Sequence, residues 1–108
     1  MEKITTDLAI DPQRLRLAAE SAVAALKLLG NPERLLLLCQ LSQGEFSVGE
    51  LEGQLDIRQP TLSQQLGVLR TQGVVTTRRE GKNIYYSVAD PKLLEMLGVL
   101  YRLYCPKA

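Results

Sequence analysis

Two sets of side chains in this 108-residue chain could do chemistry, and they differ in kind. The first is a cluster of amides and hydroxyls, Gln59, Thr61, Ser63 and Gln64, within the stretch IRQPTLSQQLGVLRTQG at 57–73. Such groups both donate and accept hydrogen bonds, which suits the reading of base edges in a DNA major groove. The second is a pair of thiols, Cys39 and Cys105. Two cysteines are too few for a secreted disulfide framework. The chain has no histidine, which removes the commonest metal ligand and the commonest general base. A thiol oxidoreductase calls for a CxxC or a single activated cysteine in a βαβ setting, and neither is present. The expectation is a protein that is not an enzyme and carries no cofactor.

The elements that position the polar cluster follow from spacing. Leu62, Leu66 and Leu69 recur at i, i+4, i+7, so 57–73 forms a helix that buries one face. Gln64, Gly67 and Thr71 fall opposite that row, on a side with amides and hydroxyls but no charge. Taken alone, such a helix is either a base reader or an ordinary surface helix. Its flanks separate the two readings. Ser47 followed by Glu50 is a capping-box pattern opening a short helix with Val48, Leu51 and Leu55 on one face. After a tight turn at 56–59 comes the polar-faced helix, with Pro60 in its first turn, which is a helix-turn-helix arrangement packed through Val48, Leu51, Leu55, Ile57, Leu62 and Leu66. Beyond Gly73, Val74–Arg79 and Ile84–Val88 read as two strands around the turn Glu80-Gly81-Lys82-Asn83. A hairpin bearing Arg78, Arg79 and Lys82 at its tip is a wing suited to phosphates or the minor groove.

Charge is sorted along the chain. The net charge is +1, but residues 58–88 contain five basic side chains against Glu80 alone, while 1–57 is acidic. Asp11-Pro12, Asn31-Pro32 and Asp90-Pro91 each read as a cap followed by proline at a helix start. The first of these helices runs to about Leu29 and stops at Gly30, read as a C′ residue. The second, through about Ser42, is apolar nearly all round and should be the central buried helix. The last runs to about Tyr104. The first and last helices carry more apolar surface than one core can use, which suggests a homodimer interface. A two-fold dimer suits paired recognition helices on palindromic double-stranded DNA. The expected fold is mainly α with a small β-hairpin: four helices, two strands and a fifth helix in one winged helix-turn-helix domain over 1–108. Residues 1–10, MEKITTDLAI, resemble neither a signal nor a transit peptide and are expected to be a flexible arm. No apolar run reaches membrane-spanning length, so no membrane partner is expected and the location is expected to be cytoplasmic.

The stretches LLGNPERLLLLCQL, FSVGELEGQLDIRQPTLSQQLGVLRTQGVV and RREGKNIYYSV together resemble the ArsR-type winged-helix repressors over about residues 12–106. The combination of GEFSVGELE, QPTLSQQLGVLR and a C-terminal YC is most similar to the sulfide- and persulfide-sensing BigR/SqrR branch. That resemblance implies a homodimer whose affinity for operator DNA falls when an inducer acts. Metal-sensing members resemble ELCVCDL at the third helix, whereas here Phe46–Leu51 has lost both cysteine positions. Zinc sensing through the last helix needs histidines that this chain lacks, so no metal site is expected.

The cysteines by themselves read as a small core hydrophobe, Cys39, and a terminal residue, Cys105. The resemblance instead implies a redox-sensing pair, bridged by reactive sulfur species as a disulfide or polysulfide. Cys105 is then expected to be the more accessible thiol and Cys39 the resolving one. The same resemblance leaves open release by a thiophilic metal or metalloid, or sensing of thiol oxidation in general. A dimeric winged-helix interaction module that binds no DNA is a further alternative.

Overall fold

Short polar side chains followed by proline start three of the five helices. The computed structural model describes residues 11–106, so the arm expected over 1–10 lies outside the described residues. Helix α1 (Pro12–Leu29) is capped by Asp11, α2 (Pro32–Leu41) by Asn31, whose side chain accepts from the Arg34 N–H at 2.9 Å, and α5 (Pro91–Tyr104) by Asp90. Each cap satisfies a backbone donor that a helix start leaves orphaned. Helix α3 (Val48–Leu55) opens on the full capping box, with Ser47 and Glu50 exchanging side chain-to-backbone bonds of 2.9 and 3.2 Å. Asp56 then takes the left-handed conformation (φ 56°), and α4 (Gln59–Thr71) follows. Gly73, at φ 74°, closes α4: its N–H bonds the Arg70 carbonyl and that of Val74 bonds Leu69, a Schellman ending.

Behind the helix-turn-helix lies an antiparallel sheet of order β1-β3-β2, with β1 at Phe46–Ser47, β2 at Val75–Glu80 and β3 at Asn83–Val88. The expected hairpin is present, paired from Val75 with Val88 to Glu80 with Asn83, so the turn narrows to Gly81 and Lys82. The third strand is an addition to the expected pair. Phe46 pairs with Tyr86 and Ser47 with Tyr85, anchoring the inner edge of the wing to the start of α3.

The core is almost all leucine: Leu37, Leu38 and Leu41 of α2, Leu51 of α3, Leu62, Leu66 and Leu69 of α4, and Leu93 and Leu97 of α5, with Ile57 and Val75. At ~1.5–3 kcal/mol per fully buried large apolar side chain, this set holds α4 in place. Two expectations need correction. Helix α2 is not buried all round: Leu36 is 46% exposed and Leu35 and Cys39 are half-buried, because α5 covers only part of its outer side. Gly30 ends α1 without a left-handed conformation (φ −81°, ψ 22°). What it supplies is room, since a Cβ there would lie 3.3 Å from the Leu26 carbonyl oxygen.

Helix α1 contributes only Leu29 to the core, leaving Leu15, Leu17, Val23 and Leu26 between 47% and 60% exposed. The radius of gyration, 16.4 Å, exceeds the ~13 Å expected of a compact chain of this length.

Candidate nucleic-acid interface and thiol cleft

Helix α4 is built to be buried on one side and wet on the other. Leu62, Leu66 and Leu69 are essentially inaccessible, while Gln59, Ser63 and Gln64 are exposed and Thr61 is half-buried. The four amide and hydroxyl residues therefore lie at the N-terminal half of the helix, where orphan N–H groups and the positive end of the dipole also favour phosphate. Pro60 costs nothing there, since the N–H it lacks would be unpaired anyway. Further along the open side, Gln64, Gly67, Val68, Thr71 and Gln72 line a shallow groove. A Cβ at Gly67 would meet nothing within 4 Å, so packing inside the chain does not account for glycine at this position.

In the wing, the three basic residues separate into two kinds. Arg78 is committed within the chain. Its Nε donates to both carboxylate oxygens of Glu45 at 3.1 and 3.2 Å, its Nη2 pairs with Glu45 at 3.0 Å, and its Nη1 reaches Glu80 at 3.4 Å. The guanidinium also lies 5.0 Å from the centre of the Tyr85 ring, a cation–π arrangement. The Glu45 hydrogen bonds, ahead of its charge, hold the Arg78 pKa above the ordinary arginine value. Arg79 and Lys82 have no acidic partner among the described residues; Arg79 only curls to the Gly81 carbonyl at 3.3 Å. Arg58, directly before α4, is also exposed and basic, and no side chain caps the helix there. In the sequence Arg58 stands out only as part of the basic segment, although its place one residue before the helix is a usable signal.

The two cysteines come together. Cys39 in α2 and Cys105, at the C-cap of α5, line one cleft of about 550 Å³ between these helices. Its other walls include Leu36, Leu100, Tyr101 and Tyr104, with Gln40 and Gln43 as polar groups and no charged side chain. Both thiols are free, Cys39 half-buried and Cys105 exposed, so Cys105 is the more accessible of the two. Burial, and secondarily the charge of Cys105, raises the Cys39 pKa above the ordinary thiol value. Burial thus disfavours the Cys39 thiolate, the nucleophilic form. Arg102 carries the nearest charge along α5 but is not part of the cleft wall.

A third feature has no signature in the sequence. Arg34 of α2 reaches back to α1, donating from Nε to the Leu28 carbonyl at 2.6 Å and from Nη2 to the Lys27 carbonyl at 3.1 Å. Its Nη1 donates to the Gln65 side chain of α4 at 3.3 Å. Arginine thereby satisfies the Leu28 carbonyl at the end of α1 and adds a second donor to that of Lys27, which the Gly30 N–H already meets at 3.2 Å. Among the described residues no group of three or more His, Cys, Asp or Glu could hold a metal ion, and no helix is long and apolar enough to cross a membrane.

Comparison with known proteins places these features in context. Residues 31–77 match the family described as bacterial regulatory protein, arsR family. The biofilm growth-associated repressor of Agrobacterium fabrum is 56% identical over 94 residues, covering 87% of this chain and 80% of that protein. The crystal structure of the transcriptional repressor BigR from Xylella fastidiosa aligns with a TM-score of 0.81 at 46% identity, covering 91% of this chain and all of that one. Reduced HlyU from Vibrio cholerae aligns with a TM-score of 0.82 at 39% identity, covering 87% of this chain and 99% of that one.

Proposed function

This chain belongs to the arsR family of bacterial regulatory proteins, and from that premise we propose that it is a homodimeric transcriptional repressor switched by its thiol pair. The reduced dimer binds palindromic operator DNA. Gln59, Thr61, Ser63 and Gln64 meet the major groove, and Arg79 and Lys82 meet phosphates or the minor groove. Arg78, tied to Glu45, orients the wing. The relatives named as repressors support the direction of regulation. Exposed apolar side chains on α1 and α5, including Leu15, Leu17, Val99 and Leu103, support the dimer.

The single observation that carries the switch is the shared cleft: two free thiols from different helices, one exposed and one shielded, facing a space without charge. The Cys105 thiolate attacks the outer sulfur of a persulfide RSSH, forming Cys105–S–SH and releasing RSH once the thiolate takes up the proton. Cys39, as thiolate, then attacks the Cys105 sulfur, closing a Cys39–Cys105 disulfide and expelling the outer sulfur as hydrogen sulfide. Two thiols are oxidised and one sulfane sulfur is reduced, so the persulfide itself is the oxidant. If the Cys105 persulfide anion first attacks the outer sulfur of a second RSSH, it becomes Cys105–S–S–SH and releases RSH. Cys39 attack on the middle sulfur then closes a trisulfide bridge and expels hydrogen sulfide. The bridge ties α2 to α5 and shifts the two recognition helices of the dimer relative to each other. Repression is lost through the difference in DNA affinity between the two forms. A solved relative described as reduced HlyU supports a redox-dependent regulator of this build.

Gel-shift titration of reduced protein and of protein treated with sodium tetrasulfide tests the reading. The treated form should bind the operator more weakly, and Cys39→Ser should remove the difference. Equal affinity of the two forms, or an unaltered response in Cys39→Ser, would rule the switch out. Intact-mass measurement of the same samples separates added sulfur from bound metalloid and from simple thiol oxidation.

A further inference from the structure

The three-way bonding of Arg34 has a use beyond ending α1. Its guanidinium lies where the last turn of α1, the first turn of α2 and the middle of α4 meet, and it donates to a group on each of the two neighbouring helices. A planar fork with several fixed donors suits this place, because lysine presents one compact charge and cannot span the same acceptors in one geometry. Gln65, which accepts the third bond, is half-buried and sits directly beside exposed Gln64 of the reading face. The other inter-helix side-chain hydrogen bond among the described residues joins Gln40 of α2 to Gln54 of α3 and does not involve α4. The Leu62, Leu66 and Leu69 row alone is a uniform leucine surface, which holds α4 against the core without strongly fixing its roll or sliding position. A directional hydrogen bond supplies that registry.

We infer that Arg34 and Gln65 form a positioning clamp that sets the recognition helix relative to α1, and so sets the half-site spacing that the dimer accepts. The inference rests on the dimeric, DNA-binding reading given above. Helix α1 carries, with α5, the unpartnered apolar surface, so a residue fastening α4 to the end of α1 transmits the geometry of the dimer to the reader. In a two-fold dimer any error in α4 placement appears in both protomers and alters the separation of the two reading faces.

The test uses the full chain and double-stranded DNA selected from a random-sequence library by the wild-type protein. The central spacer of the selected palindrome is then lengthened or shortened by single base pairs, and affinity is read by fluorescence anisotropy at constant salt. Wild type should lose roughly tenfold on changing the spacer, about the size of one lost base contact, and Gln65→Ala only roughly threefold. Gln65→Glu keeps an acceptor for Arg34 and should restore the wild-type ratio; Arg34→Ala should behave like Gln65→Ala. A purely structural role would lower melting temperature and affinity for every spacing alike, leaving that ratio unchanged. If Arg34→Ala fails to fold, the two Gln65 variants decide. Wild-type discrimination in a folded Gln65→Ala protein would overturn the clamp alone. A wild-type protein indifferent to spacing would overturn the dimeric reading and the clamp with it.

Discussion

The reading face of α4 and the cleft between α2 and α5 are opposites in almost every physical property. The first is wet, polar and uncharged, with its cationic support displaced to the wing and to Arg58. The second is walled by leucine and tyrosine, and burial in it shields one of its two thiols and raises that thiol's pKa. Both lie against the same leucine core, which Leu66 and Leu69 join beneath α4 and against which Leu35 and Leu100 of the cleft wall pack. On the proposed function, the contrast accounts for how one small domain would hold both jobs. A surface that reads bases must exchange water easily, whereas a thiol that is to react second must be held back by burial. The proposed function therefore assigns sequence preference and switching to different residues, which should break separately.

The largest expected effect lies on the reading face. Gln64→Ala should cost ~1–3 kcal/mol at one base position and relax preference there, leaving the response to tetrasulfide intact. Binding to a set of single-base variants of the selected site checks this. Gly67→Ala should act in two directions at once. Because a Cβ meets nothing within 4 Å in the free chain, the folded protein should gain up to ~1 kcal/mol in denaturant unfolding. DNA affinity should nevertheless fall if the groove beside Gly67 receives the duplex. A stabilised variant with unchanged affinity would remove Gly67 from the interface.

The wing sharpens the comparison further. Arg79→Ala should reduce the slope of log affinity against log salt by about one. Arg78→Ala should change that slope less, because its charge is already met by Glu45 and Glu80. Equal slope changes would mean that Arg78 leaves Glu45 on binding. The smallest effect concerns pH. The Cys39 pKa is raised in the folded chain, so the folded state holds that proton more firmly than the unfolded chain does. The associated stability is present below the ordinary thiol value and fades as pH rises through the raised one. Bridge closure after persulfidation should accordingly keep accelerating above pH ~8.5, the ordinary thiol value. Cys105→Ser removes only the lesser cause, so alkylation of Cys39 in that variant should remain slow at neutral pH. Stopped-flow and alkylation mass measurements read both steps.

Much of this arrangement is legible in the amino-acid sequence because its signals are local. Asp11, Asn31 and Asp90 with their following prolines, and the Ser47–Glu50 box, announce helix starts within a few residues, and all four starts lie where expected. The leucine spacing of α4 identifies its buried and open faces. What stays hidden depends on distant residues. Strand β1 has two residues, too few to show alternation, and exists because Phe46 and Ser47 meet Tyr86 and Tyr85. In the sequence Arg78 is one of three equivalent wing cations, but its partner Glu45 is 33 positions away. Gly30 carries the usual sign of a left-handed cap, while Arg34 from the next helix bonds the Leu28 carbonyl and joins the Gly30 N–H on that of Lys27. The cysteines can be paired by resemblance alone; their common cleft follows from α2 and α5 packing side by side.

Whether reading and switching are separate is decided by measuring affinity for every single-base variant of the selected operator, using reduced and tetrasulfide-treated protein side by side. Treatment should lower affinity across the whole set by a common factor and leave the ranking of variants unchanged. A reordered ranking, or equal affinities before and after treatment, would contradict the separation.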